Sequence, residues 1–189
     1  QFTNTNKNFE KVTFNVTDGS LTITKRSVTF NGQTDTKEYN GEPQSIKGIT
    51  ATGLVQGHTY DGLTYIAEGT DANTYKGAFS GDVVIKDANG NIVTTNYEIA
   101  KNPGQLTITP VAATVTVTIE GNTATETYNG SEQKVTGYKV TNISNSLYTE
   151  DDFTFSGTAE AKGTNANTTG NPEYKMGLKA SDFTNTNGN

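Results

Sequence analysis

A six-residue block, Gly19-Ser20-Leu21-Thr22-Ile23-Thr24, returns almost unchanged as Gly104-Gln105-Leu106-Thr107-Ile108-Thr109. Each copy alternates apolar with hydroxyl side chains behind a turn-forming glycine. Successive side chains of a strand point to opposite faces, so the block predicts a strand buried on one face and wet on the other. A short connector follows each copy, Lys25-Arg26 or Pro110, and then a second alternating run, Val28/Phe30 or Val115/Val117/Ile119. The strand that closes one unit thus hands over to the strand that opens the next.

Two further repeats set the scale. Phe2-Thr3-Asn4-Thr5-Asn6 recurs as Phe183-Thr184-Asn185-Thr186-Asn187, a spacing of 181 (183 − 2). Within that period, Ser27-Val28-Thr29-Phe30 aligns with Thr116-Val117-Thr118-Ile119 at an offset of 89 (116 − 27). The same offset carries Gly32 onto Gly121, Tyr39-Asn40-Gly41 onto Tyr128-Asn129-Gly130, and Gly48 onto Gly137. Ala72-Asn73-Thr74 returns as Ala166-Asn167-Thr168, and Tyr75-Lys76 as Tyr174-Lys175 after an insertion. From Gly19 to Gly104 is 85 residues, which leaves 96 (181 − 85) for the next unit. Both lengths suit a sandwich of about seven strands.

Turn signals agree with short strands. Asn31-Gly32, Asn40-Gly41, Gln56-Gly57, Asp61-Gly62 and Pro103-Gly104 follow one another too closely for helices. A hairpin is expected from Val83–Ile85 through Asp87-Ala88-Asn89-Gly90 to Ile92–Thr94. Later strands are expected over 114–119, 133–140, 152–159 and 174–179. The reading is all-β: two elongated, tandem, Ig-like antiparallel β-sandwich modules over 25–109 and 110–189. Residues 1–24 read as closing strands of a preceding module, and the second module lacks its own last strands. The chain reads as the interior or mature form of a longer exported protein.

Composition excludes several functions. The net charge is −6 and Arg26 is the only arginine, whereas a nucleic-acid surface needs a basic stripe. No apolar run approaches the ~18 residues of a membrane span. The chain has no cysteine, so it has neither disulfides nor thiolate metal sites. His58 is the sole histidine, in Gly57-His58-Thr59-Tyr60, and reads as a turn residue at the start of a strand. Glu150-Asp151-Asp152 offers carboxylates, but consecutive strand residues diverge, so a solvated loop is expected rather than a calcium site. Asp87-Ala88-Asn89-Gly90-Asn91 starts like an EF-hand loop, but its glycine falls at the fourth position instead of the sixth. None of the 20 acidic residues sits in a glycosidase motif. No cofactor is implied. Tyr60, Tyr65 and Tyr75 are candidates for stacking on a sugar, or else for closing a core.

The Tyr-Asn-Gly motif, Gly53-Leu54-Val55-Gln56-Gly57-His58 and the closing Gly-x-Leu-Thr-Ile-Thr resemble MBG/YDG-type repeats, β-sandwich modules of bacterial surface proteins. Tyr128-Asn129-Gly130-Ser131-Glu132-Gln133, the run from Leu147 to Phe153, and Met176-Gly177-Leu178 are similar to repeats of cell-wall-anchored proteins of gut Firmicutes. The resemblance implies a non-enzymatic, extracellular stalk or adhesin array with no catalytic residues to carry over. Its implied partners are neighbouring repeats or copies, and alternatively a host glycan or matrix protein. Such modules also suggest a Lys–Asn or Lys–Asp cross-link promoted by a buried carboxylate.

Two structural expectations follow. Tyr39 and Tyr128 should both be buried ahead of turns at Gly41 and Gly130. The apolar rows Val12/Phe14/Val16 and Leu21/Ile23 should act as donor strands that complete the second module of a neighbouring chain, head to tail.

Overall fold

A computed structural model describes residues 1–170 and 172–189. The architecture is all-β, with three single-turn 3₁₀ segments and no longer helix among the described residues. No helix there is long and apolar enough to cross a membrane. The alternating runs form strands as their period demands, and turns interrupt them every few residues.

The first region begins with β1 (Arg26–Gly32) and β2 (Asp35–Glu38), followed by β3 (Gln44–Ile46) and β4 (Ile49–Thr52). Next come β5 (Thr59–Asp61), β6 (Thr64–Gly69), β7 (Asn73–Lys76), β8 (Ala78–Ser80) and β9 (Val84–Lys86). It ends with β10 (Tyr97–Asn102) and β11 (Gln105–Thr109). Sheets run in the orders β10-β1-β4, β2-β11-β7, β3-β6-β8 and β5-β9.

Two of these pairings are parallel, which corrects the expectation of wholly antiparallel modules. β10 lies parallel to β1 and β11 parallel to β2. A parallel pair needs a crossover of a dozen or more residues, and the chain from β2 to β10 supplies it. The register never slips: Arg26 faces Tyr97 and Glu38 faces Thr109, both 71 apart (97 − 26, 109 − 38). The two paired stretches turn the same corner together and pass from one sheet to the next. There Tyr65 Oη donates to the Gln33 carbonyl at 2.9 Å, and Gln105 N–H donates to Thr34 Oγ1 at 3.2 Å. The turn expected at Asn31-Gly32 is instead the end of β1, where the Tyr65 ring lies across the Gly32 Cα.

The core of this region has two parts. Val28, Phe30, Leu63, Ile85 and Tyr97 form one cluster, and Ile46, Tyr65, Ala67, Leu106 and Ile108 form the other. Leu106 is 0 % exposed and Ile108 2 %. Burial of side chains of this size contributes about 1.5–3 kcal/mol each, so β11 seals the second cluster. The expected hairpin forms after β9. Gly90 N–H donates to the Asp87 carbonyl at 3.0 Å, and Lys86 bridges Ile92 across the turn.

The second region contains β12 (Val117–Gly121), β13 (Gln133–Thr136), β14 (Tyr138–Ile143), β15 (Phe153–Phe155), β16 (Glu160–Gly163) and β17 (Phe183–Asn185). Its pairings repeat those of the first. Gly121↔Tyr138 and Ile119↔Val140 reproduce Gly32↔Ile49 and Phe30↔Ala51, each residue advanced by 89 (121 − 32, 138 − 49). Val135↔Ala161 reproduces Ile46↔Ala67, with the later strand advanced by 94 (161 − 67). Phe155↔Phe183 reproduces Asp61↔Val84 at 94 and 99 (155 − 61, 183 − 84).

Small devices repeat too. Gln44 Nε2 donates to the Glu38 carbonyl at 3.0 Å, and Gln133 Nε2 to the Thr127 carbonyl at 3.1 Å. Gly41 and Gly130 both hold φ near +80°, at 81° and 78°, where a side chain would be strained. Gly69 lets the Tyr75 ring lie on the backbone, as Gly163 does for Tyr174. Volume has also changed places: Tyr65 and Gly77 are replaced by Ala159 and Met176, and the Met176 sulfur approaches Gly121 where Tyr65 covers Gly32.

Among its described residues the second region forms no counterpart of β10 and β11. The strand expected over 174–179 does not form. Residues 1–25 carry no strand either, although the period-two pattern predicts two, because no partner strand lies beside them.

Candidate functional site

Of the three tyrosines considered for a sugar platform or for closing a core, Tyr65 is buried, and Tyr60 and Tyr75 are half-buried against the two core clusters. Tyr65 is 4 % exposed, its ring 5.2 Å from that of Phe79. Burial pushes its phenol above the ordinary tyrosine value. Tyr60 is half-buried edge-on to Phe30, with centroids 4.8 Å apart, and donates to the Ile49 carbonyl at 3.2 Å. Tyr75 donates to the Asp71 carbonyl at 2.9 Å. All three thus pack against the core, and each hydroxyl is tied to a backbone carbonyl.

His58 ties a turn to a strand. Its Nδ1 lies 2.7 Å from Tyr97 Oη, which also accepts the Val55 N–H at 3.2 Å. The carboxylates have structural work as well. Asp87 accepts from the Asn91 side chain and from the backbone N–H groups of Asn89 and Asn91. These bonds, led by the Asn91 side chain, hold its carboxyl below the usual range.

Glu150–Asp152 forms a 3₁₀ turn rather than an open loop. Asp152 Oδ2 accepts the Thr149 N–H at 2.7 Å, and Oδ1 accepts Asn187 Nδ2 at 2.8 Å. The Thr149 N–H is the main cause of a lowered Asp152 carboxyl. Among the described residues no polar or charged side chain is buried, so the buried carboxylate required by a Lys–Asn cross-link is not found there. The acidic and histidine side chains among them form no cluster able to hold a metal.

The feature that stands out is a groove of about 470 Å³ in the second region. Tyr128, Val135, Ala161, Tyr174 and Leu178 line it. By the offsets above these are the counterparts of Tyr39, Ile46, Ala67, Tyr75 and Phe79 (89, 89, 94, 99 and 99 residues on). In the first region those five residues surround Leu106 and Ile108. The groove is therefore the seat of β11, present in outline without its strand.

Its two rims match as well. β11 runs between β2 and β7, and the corresponding residues 124–127 and 172–175 are in no strand. Tyr39, against the sealed cluster, is half-buried. Tyr128, on the open groove, is 62 % exposed. The expectation that both would be buried fails, because the Leu and Ile that cover Tyr39 have no counterpart over Tyr128.

The five residues expected to act as donors are exposed. Leu21 and Ile23 are each 85 % exposed, Val12 44 %, Phe14 50 % and Val16 62 %. Sequence reasoning found this row from its period. It also expected an open second module for that row to complete, but not which residues wall the opening, since these are scattered between 121 and 178; the offset alignment, extended past its insertions, was the signal available.

A second concavity of about 440 Å³ lies between the regions, lined in part by Tyr39, Pro110, Leu147 and Asn187. Asn189 fastens the regions beside it. Its carbonyl accepts the Val111 N–H at 3.0 Å, and its Oδ1 accepts the Ala72 N–H at 2.6 Å. Comparison with protein-family models, curated proteins and solved structures returns no match to the chain.

Proposed function

We propose that the chain is a non-enzymatic structural repeat of a bacterial surface array, a stalk or extracellular fibre of the kind its motifs resemble. Copies associate head to tail, with the N-terminal 24 residues of one completing the second region of the next. The observation that carries this reading is a mismatch within one chain: a groove at the position β11 fills in the first region, and an exposed second copy of the β11 sequence block. An unsealed groove and an exposed apolar strand both favour pairing. The chemistry is backbone hydrogen bonding and apolar burial. The acidic exterior, at a net charge of −6, keeps an extended array soluble.

Sedimentation velocity tests the reading. The intact chain is expected to form concentration-dependent dimers and longer species, and a chain beginning at Lys25 to remain monomeric. Equal assembly of the two overturns it. Saturable binding of the intact monomer to a mucin glycan would favour the alternative of an adhesive module.

A further inference from the structure

We infer that residues 12–24 of a second copy occupy the groove in one register, parallel to residues 115–127, with Leu21 and Ile23 in the seats that Leu106 and Ile108 hold in the first region. This rests on the head-to-tail reading and specifies its contact. The register follows from two offsets. β1–β2 maps onto 115–127 by adding 89, and β10–β11 maps onto 12–24 by subtracting 85 (104 − 19). Both pairs contain the same glycine-preceded block, and the parent pairing keeps one offset in its two ladders, on either side of the unpaired corner at 32–34. Carried across, Phe14 falls opposite Val117, Val16 opposite Ile119, Leu21 opposite Ala124 and Thr24 opposite Thr127. On the other rim, the antiparallel pair Leu106↔Tyr75 places Leu21 beside Tyr174. The inserted strand therefore bonds to both rims, as β11 does.

Residues 12–24 cannot serve the groove of their own second region. The second region contacts the first through Glu38, Asp71 and Ala72, at the end where β11 finishes. Arg26 lies at the other end of the thirteen-residue pairing from Glu38 (38 − 26 + 1). A strand of that length spans roughly 40 Å at ~3.3 Å per residue, less its bend. Thr24 is joined to Arg26 by Lys25 alone, and one residue reaches at most ~3.6 Å. Its own groove, beyond the far end of the first region, is out of reach. A neighbour's is not, and because donor and groove sit at opposite ends, the contact repeats without closing on itself.

Two full-length variants test this. Leu21→Glu/Ile23→Glu spoils the donor and leaves the groove intact; Ala161→Arg fills the groove and leaves the donor intact. Each alone is expected to be monomeric at concentrations where the parent assembles. Mixed in equal amounts, they should give a dimer of one of each and nothing longer. Since each supplies the part the other lacks, the dimer also shows that both parts are sound. A mixture that stays monomeric, or a donor-spoiled variant that assembles like the parent, overturns the inference.

Register is read by cysteine pairs, which the cysteine-free chain permits. Thr24→Cys on one copy should cross-link with Thr127→Cys on another. Preferential cross-linking of Ser20→Cys with Thr127→Cys would mean an antiparallel strand and would overturn the parallel register. A synthetic peptide of residues 12–24 separates this inference from the functional reading. Peptide bound by the donor-spoiled chain, with no assembly of the parent, supports the groove and refutes the array. Assembly that ignores both peptide and donor mutations supports the array and refutes the groove.

Discussion

The two regions share three strand pairings and differ most in their closing strands: the first has β10 and β11, and the described residues of the second form no counterpart. Among the described residues eleven apolar ones are buried, of which ten lie between Val28 and Ile108 and one, Ala161, lies in the second region. Local chemistry is nevertheless the same in both. The Gln44 and Gln133 side chains make equivalent bonds, and the turns at Gly41 and Gly130 have the same backbone. Turns and side-chain clamps thus form without the closing strands, whereas a dry interior does not. The second region is left with half-buried aromatics, such as Tyr138 at 5.0 Å from Phe155 and 5.2 Å from Phe183.

The strongest way to break this comparison is to remove the same side chain from both copies of the block. Leu106→Ala should cost about 2–5 kcal/mol in urea unfolding of the first region, the usual range for a buried leucine. Leu21→Ala, measured at a dilution where the chain is monomeric, should shift the same transition by less than about 0.5 kcal/mol, as surface changes do. A large loss at Leu21 would mean that the N-terminal strand is already docked in the monomer.

Next come the paired glycines. Gly130→Ala should cost about 1–2 kcal/mol, the left-handed penalty for a side chain. Gly41→Ala should cost more, because its Cβ would also fall 2.9 Å from Leu147 Cδ2. Equal losses in thermal unfolding would show that the contact with Leu147 is not maintained in solution. Tyr97→Phe should then cost about 1 kcal/mol by deleting the hydroxyl that serves both Val55 and His58. Hydrogen exchange at the Val55 amide should quicken, with exchange in the second region unchanged.

Acid gives the smallest effect. The Asp152 carboxyl is held low by the Thr149 N–H, so its contribution is complete above the unfolded value of about 3.9. It disappears as pH falls through the lower folded value. Melting of the second region should therefore soften below about pH 4, and Asp152→Asn should flatten that pH dependence. An unchanged pH profile in Asp152→Asn would remove this knot from the account.

Much of the architecture was legible because the repeats carry it. The period of Leu106/Ile108, the hairpin at Asp87–Gly90 and the shared Tyr-Asn-Gly turns all depend on near neighbours in sequence. Parallel pairing was not legible, since nothing in Arg26–Glu38 or Tyr97–Thr109 distinguishes a parallel from an antiparallel neighbour. Which carbonyl Tyr65 would reach was not legible for a similar reason: its partner, Gln33, is 32 residues away. The donor row was visible in outline. The residues that line the open second module were not, because insertions before Ala161 and Tyr174 break the simple offset.

The in-register parallel pairing of the first region determines how it meets tension. Pull applied through Lys25 enters at the start of β1, and pull through Pro110 leaves at the end of β11. These points sit at opposite ends of two strands running side by side, so the load acts along the strands and across their hydrogen bonds. Such a ladder is sheared: its rungs share the force and fail together, whereas a pair pulled from one end would open rung by rung. A donor strand seated in the same parallel register would place the joint between molecules in shear as well, making the non-covalent link of the array resemble the inside of its folded unit.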